Sequence, residues 1–164
     1  MDFEFSEEQK MLAAAARDFF TQEYSTARAR EMAGDEKGHS PELWRKIAEM
    51  GWLGLAFPEK YGGTGASFLD LVVLLEEMGR VRFLGPFFAT VVLGGLTILD
   101  VGNERQKTAL LPRVASGDII LTMAFLESEG KYEFDSIKTQ AVSDGPEYVL
   151  DGIKVFPVGT GEGE

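Results

Sequence analysis

The sequence predicts an α+β chain: an N-terminal all-α helical domain over residues 1–118, then an incomplete antiparallel β-domain over 119–164. Three observations lead there. Capped segments with apolar residues at helical spacing follow one another as far as residue 118. Beyond that point the apolar period drops towards two. The β portion then supplies only two or three strands, too few to bury a face of their own.

Ser6-Glu7-Glu8-Gln9 has the form of a capping box, with the serine oxygen on an early N–H and Gln9 reaching back. Met11, Leu12, Ala15, Ala16, Phe19 and Phe20 then recur at helical spacing as one apolar face. A short polar helix follows around Ala27 to Met32, ending near Gly34. Ser40-Pro41-Glu42 starts the next one: serine caps, and proline sits where its missing N–H costs nothing. Leu43, Trp44, Ile47 and Ala48 should face inward, and Gly51 should end this helix as a left-handed cap. Ser67 to Gly79 forms another capped helix, offering Leu71, Val72, Leu74, Leu75 and Met78 to the core. Leu84-Gly85-Pro86 opens a long segment to Leu99 whose only polar side chains are Thr90 and Thr97, so it should lie centrally, touched on every side. Asn103 to Ala115 is the last helix, opened by Asn103 with Gln106 and closed by Ser116-Gly117.

Strand formers then take over. Ile119 to Phe125 is a short apolar run, and Ile137, Thr139 and Ala141 alternate with Lys138, Gln140 and Val142. Tyr148 to Phe156 reads as a hairpin turning at Asp151-Gly152, because Asp-Gly suits the positive φ angles of a type I′ turn.

Composition excludes several functions. The chain has no cysteine, which removes disulfides, thiolate metal sites and a cysteine nucleophile, and which fits a cytoplasmic protein. The longest apolar stretch, Phe83 to Val101, is interrupted by Gly85, Pro86, Gly94 and Gly95 and is no membrane span. The acidic start, Met1-Asp2-Phe3-Glu4, reads as neither a signal peptide nor a transit sequence. A net charge of −11 leaves no basic footprint for nucleic acid. It also leaves few donors for a pyrophosphate.

The segment Gly51-Trp52-Leu53-Gly54-Leu55-Ala56-Phe57-Pro58-Glu59-Lys60-Tyr61-Gly62-Gly63-Thr64-Gly65 resembles the hallmark loop of the acyl-CoA dehydrogenase family. Asn103 to Asp118 resembles that family's helix before its middle β-domain, and Tyr148 to Phe156 resembles one of its hairpins. The resemblance spans the chain from Phe3 to about Gly159. It implies a flavoprotein that uses FAD to remove hydrogens from the α and β carbons of an acyl-CoA thioester, a carboxylate base taking the α-proton and the flavin the β-hydride. It further implies a homo- or hetero-oligomer and a possible electron-acceptor protein. The family's base lies in a C-terminal helical domain, so no catalytic residue is assigned here, and no metal ligand either.

In the family's flavin-contacting segment, the register holds from Met123 to Thr139 but the residues diverge. Leu126 replaces a threonine whose hydroxyl would meet the flavin, and Lys131-Tyr132-Glu133 replaces Gly-Ser-Asp. Phe156-Pro157-Val158 replaces the Trp-Ile-Thr/Ser that packs on the ring. The resemblance makes Met123, Phe125, Leu126, Phe156 and Val158 the candidates for cofactor contact. Backbone N–H groups at Phe125 and Leu126 remain usable and Phe156 can stack, but Leu126 and Val158 have no side-chain donor. Ala89, Leu93, Lys131 and Tyr132 are the candidates for substrate contact, the first two because the family's matching helix borders the acyl tunnel.

Blander readings take the remaining features. His39, the one histidine, reads as a surface residue before a helix cap. Glu7-Glu8 and Glu76-Glu77 are adjacent on helices, hence splayed and solvated rather than paired for catalysis. Gly159 to Gly163 carries glutamates that would repel phosphate. The rival functions are a flavin monooxygenase, an oxidase or a nitroalkane-oxidising relative of the same fold, and a non-catalytic helical partner subunit.

Overall fold

The computed structural model describes residues 4–34, 38–128 and 133–155. Among these residues six α-helices precede one hairpin: α1 (Glu7–Glu23), α2 (Thr26–Ala33), α3 (Pro41–Glu49), α4 (Phe68–Arg80), α5 (Leu96–Val101), α6 (Glu104–Ala115), β1 (Gln140–Asp144) and β2 (Glu147–Asp151). The starts expected at Ser6, Ser40, Ser67 and Asn103 are found. Ser6, Ser67 and Asn103 each close a reciprocal capping box, with Gln9, Asp70 and Gln106 respectively. Ser25 and Ser40 accept from Arg28 N and Leu43 N. Each such cap stabilises its helix by about 1 kcal/mol.

Helices α1 and α4 pack lengthwise, tied at both ends. Gln9 Nε2 donates to Asp70 Oδ1 at 3.0 Å, and Arg17 donates through Nε and Nη2 to the Glu77 carboxylate at 3.1 and 2.6 Å. Ala16 and Phe20 are buried, with Leu12 and Phe19 packed beside them. Met11 and Ala15 point outward instead, so the apolar face of α1 is narrower than its sequence suggests. Likewise Val72 lies on the outer side of α4, and Val73 takes the core place expected for it.

The hallmark loop forms a tight knot between α3 and α4. Gly51 and Gly62 adopt φ of 73° and 81°, the left-handed region glycine tolerates. Thr64, Gly65 and Ala66 N–H donate to the carbonyls of Gly54, Phe57 and Leu55. At Gly63 a Cβ would overlap the Phe57 and Gly54 carbonyls, so only glycine fits. Phe57 enters the core from this loop, and Tyr61 Oη donates to Glu104 at the start of α6, 2.9 Å away.

The apolar stretch after Pro86 is not the fully enclosed α-helix expected. Residues Phe88–Gly95 wind as a π-helix, which passes into α5. Phe87, Ala89, Thr90, Val91 and Gly95 are buried, while Phe88 and Leu84 are exposed on the other side. Among the described residues nothing covers that outer side. Among the described residues, no helix is long and apolar enough to cross a membrane.

β1 and β2 form a two-stranded antiparallel sheet in which Asp144 pairs with Glu147 and Gln140 with Asp151. The turn is therefore Gly145-Pro146, not Asp151-Gly152. Gly145 has φ 62°, which suits the first central position of a two-residue loop. Pro146 cannot donate to a ladder, so the chain must turn there. Asp151-Gly152 lies at the open end of the hairpin, with Gly152 packed so closely on Thr139 that a Cβ would overlap it. Every residue of both strands is exposed. Residues 119–125 run extended without forming a strand, apart from a single-residue bridge at Met123. A helical N-terminal domain followed by the start of an antiparallel β-domain is thus the observed class.

Candidate functional site

Helix and extended segment meet at Thr90. Its buried hydroxyl donates to the Leu121 carbonyl and accepts from the Leu121 N–H, both at 3.1 Å. A hydroxyl inside an apolar helix must find partners or lose about 1–3 kcal/mol, and here it finds two on the neighbouring main chain. Two glycines allow the approach. A Cβ at Gly94 would press on the Leu121 side chain, and one at Gly95 on the Phe57 ring.

From this corner the chain runs on through Met123, Phe125 and Leu126, all half-buried. The Leu126 carbonyl accepts from Val155 N at 2.8 Å, so the residues after the hairpin return alongside this strip. Glu127 closes the arrangement. Its carboxylate accepts from Lys138 N at 2.8 Å, Thr139 N at 2.9 Å, Thr139 Oγ1 at 2.6 Å and Lys154 Nζ at 2.9 Å. The Thr139 hydroxyl, the Lys138 and Thr139 amides and the Lys154 ammonium hold its pKa down from 4.5 to about 2. Lys154 also donates to the Phe125 carbonyl at 3.3 Å.

Met123, Phe125 and Leu126 thus share one strip, joined to the π-helix through Leu121. Leu93 is half-buried on that helix. Ala89 is buried at 3% exposure, so its methyl belongs to the packed side of the segment. Phe156, Val158, Lys131 and Tyr132 lie outside the described residues. Three residues that organise the corner were missed as such: Thr90, Thr139 and Lys154. Thr90 had a readable signal, one of two hydroxyls in a helix expected to be buried. Nothing local marked Thr139 or Lys154, because their partner Glu127 is 12 and 27 residues away.

Two of the blander readings need amendment. Glu77 is not solvated. It is 5% exposed and held between Arg17 and Arg80, which depress its pKa, Arg17 most. His39 is half-buried in a groove between α2 and α3, lined also by Arg28, Glu31, Met32 and Ser40. No group of His, Asp and Glu side chains capable of holding a metal occurs among the described residues.

The strip offers half-buried apolar side chains beside its main chain. Lys154, a cation beside it, is committed to Glu127 and to the Phe125 carbonyl.

Comparison with known proteins agrees with this architecture. Residues 6–118 match the family "Acyl-CoA dehydrogenase, N-terminal domain". The probable acyl-CoA dehydrogenase YngJ of Bacillus subtilis is 32% identical over 159 residues, covering 95% of this chain and 41% of that protein. The acyl-CoA dehydrogenase complexed with FAD from Bacillus anthracis superposes with a TM-score of 0.81 at 32% identity, over 94% of this chain and 27% of that one. A chain of the ChsE4-ChsE5 complex from Mycobacterium tuberculosis gives 0.80 at 29% identity, over 93% and 40%. The chain belongs to the acyl-CoA dehydrogenase family. It spans about 40% of the length of YngJ and of similar relatives.

Proposed function

We propose that residues 1–118 are the N-terminal helical domain, and residues 119–164 the start of the middle β-domain, of an FAD-dependent acyl-CoA dehydrogenase. The observation that carries this reading is the half-buried strip Met123–Leu126, fixed against the helical domain where the family's flavin-contacting segment falls. FAD bound there would accept the β-hydride as the α-proton leaves to a base and the α,β double bond forms. This chain's part is to hold the ring by main chain and apolar contact, and Phe156 and Val158 are further candidates for that contact. On the helical side, Leu93 and Ala89 would border the acyl chain, joined by Lys131 and Tyr132.

No carboxylate of the strip suits the role of base. Glu127 accepts four hydrogen bonds and titrates near 2, so it holds no useful basicity at neutral pH. The reading therefore places the base, and the cations for the pyrophosphate, in the part of the relatives' length that this chain does not span. Alone, residues 1–164 would turn over no acyl-CoA, and they would act as part of a homo- or hetero-oligomer that passes electrons to an acceptor protein. Leu126 lends some weight to a two-subunit arrangement, since it supplies no hydroxyl to a flavin and a second chain could. The test is equilibrium with FAD, followed by absorbance after gel filtration. Weak or partial flavin retention agrees with the proposal. Complete exclusion of FAD at millimolar concentration favours a non-catalytic helical subunit.

A further inference from the structure

The strip that carries the candidate cofactor contacts is tied at both ends by side chains. Among the described residues, the bridge between Leu121 and Glu127 is the isolated one at Met123. A strand normally draws its position from a ladder of main-chain bonds. Here the front end is fixed by Thr90, whose fully buried hydroxyl serves both backbone groups of Leu121. The back end is fixed by Glu127, whose side chain is 14% exposed and ties the strip to Thr139 and Lys138 on one side and to Lys154 on the other.

We infer that Thr90 and Glu127 are positioning residues, which set the placement of the Leu121–Glu127 strip between the π-helix and the hairpin and so the seat of a flavin ring. The seat rests on the function proposed above; the placement of the strip does not. Both anchors are built from geometry that only their own side chains supply. Valine at 90 would match the threonine in shape and leave both Leu121 groups unpartnered in an apolar setting. Glutamine at 127 would keep the shape and lose the charge facing Lys154. It would also replace two accepting oxygens by one, so the donors at Thr139, Lys138 and Lys154 could not all be served. The two anchors act at opposite ends of the Leu121–Glu127 strip. Loosening either should change the strip and leave the α1–α4 contact alone.

The experiment uses the whole chain as Thr90→Val, Thr90→Ser and Glu127→Gln beside the unsubstituted protein. Residue-resolved amide hydrogen exchange is read first. The Leu121 amide should exchange at least tenfold faster in Thr90→Val and return in Thr90→Ser, which keeps the hydroxyl. The Lys138, Thr139 and Val155 amides should exchange at least tenfold faster in Glu127→Gln. Amides within α1 and α4 serve as the internal control and should not change. FAD titration is the second reading, with the visible flavin band recorded at each step. If the unsubstituted chain binds FAD, Thr90→Val and Glu127→Gln should each bind it about tenfold more weakly and shift the band, a change that mere loss of stability would not produce. Equal affinity and an unshifted band would overturn the inference. If the unsubstituted chain takes up no FAD, the functional reading fails on that result, and the exchange data alone decide on the anchors. Unchanged protection at Leu121 in Thr90→Val, or at Lys138 and Thr139 in Glu127→Gln, would overturn them.

Discussion

Single residues in this chain are tuned by contacts that sequence distance hides. Glu77 shows the energetics. It lies in the α1–α4 interface with a bidentate arginine from the facing helix. Removing that arginine leaves a buried carboxylate with only Arg80 beside it. Arg17→Ala should therefore destabilise the helical unit by about 1–3 kcal/mol. For a chain of this size that corresponds to a fall in Tm of roughly 2–12 °C. A thermal melt showing no change would mean that the pair adds nothing. The pH dependence follows from the same contact. The folded pKa of Glu77 is depressed, so its stabilising effect is complete above the ordinary carboxylate value of 4.5. It is lost as pH falls through the lower, folded value. Glu127 behaves alike, over a window from about 4.5 down to about 2. Acid titration should release the Lys138 and Thr139 amides within that window. Release above pH 5 would show that Glu127 is not the group holding them. At Gly63 the constraint is steric. Gly63→Ala should cost about 1–3 kcal/mol through overpacking against the Phe57 and Gly54 carbonyls.

At the level of elements, the helices were legible because their signals are local. A capping serine or asparagine and its N3 partner are three residues apart, and five of the six α-helices begin at such a cap. The hallmark loop was legible for a related reason, since each of its glycines meets a constraint within the loop or the adjoining helix. Faces were harder to read. Met11 and Val72 are as apolar as their buried neighbours, and only the angle at which α1 meets α4 turns them outward. The π-helix was not legible at all. Its wider turns bring Gly94 to Leu121 and Gly95 to Phe57, contacts that depend on two other segments. The hairpin turn was misplaced because two Asp-Gly pairs compete and the proline after the first one decides. For the candidate site, the register of the strip could be read, and Thr90 left a signal as a hydroxyl in an apolar segment, but the partners of Glu127 left none. Element burial also gives a prediction. β1 and β2 are exposed throughout, with Tyr148 at 70% and Leu150 at 73%, whereas Leu43, Trp44 and Ile47 of α3 are buried. Limited chymotrypsin digestion should cut after Tyr148 or Leu150 before it cuts within α3. The reverse order would contradict the division into a packed helical part and an open β part.

For the whole molecule, the exposed apolar residues suggest how it behaves in solution. Phe68, Leu69 and Val72 on α4, and Leu84 and Phe88 beyond it in the chain, leave apolar side chains in water despite the charge of −11. The hairpin adds Val149, Leu150 and Ile153. Isolated monomers seldom leave this much apolar surface uncovered. Light scattering should find dimers or larger species, and a monodisperse monomer that binds no hydrophobic dye would argue against surfaces made to be covered.

On the proposed function, this chain seats a flavin ring, and the base and the phosphate-binding cations belong to the part of the relatives' length that it does not span. The most direct test is anaerobic reduction of added FAD by a panel of acyl-CoA thioesters, followed as loss of the visible flavin band. Residues 1–164 alone should leave the band intact with every thioester. Bleaching by any of them would show that a carboxylate of this chain does act as the base, and would contradict the account.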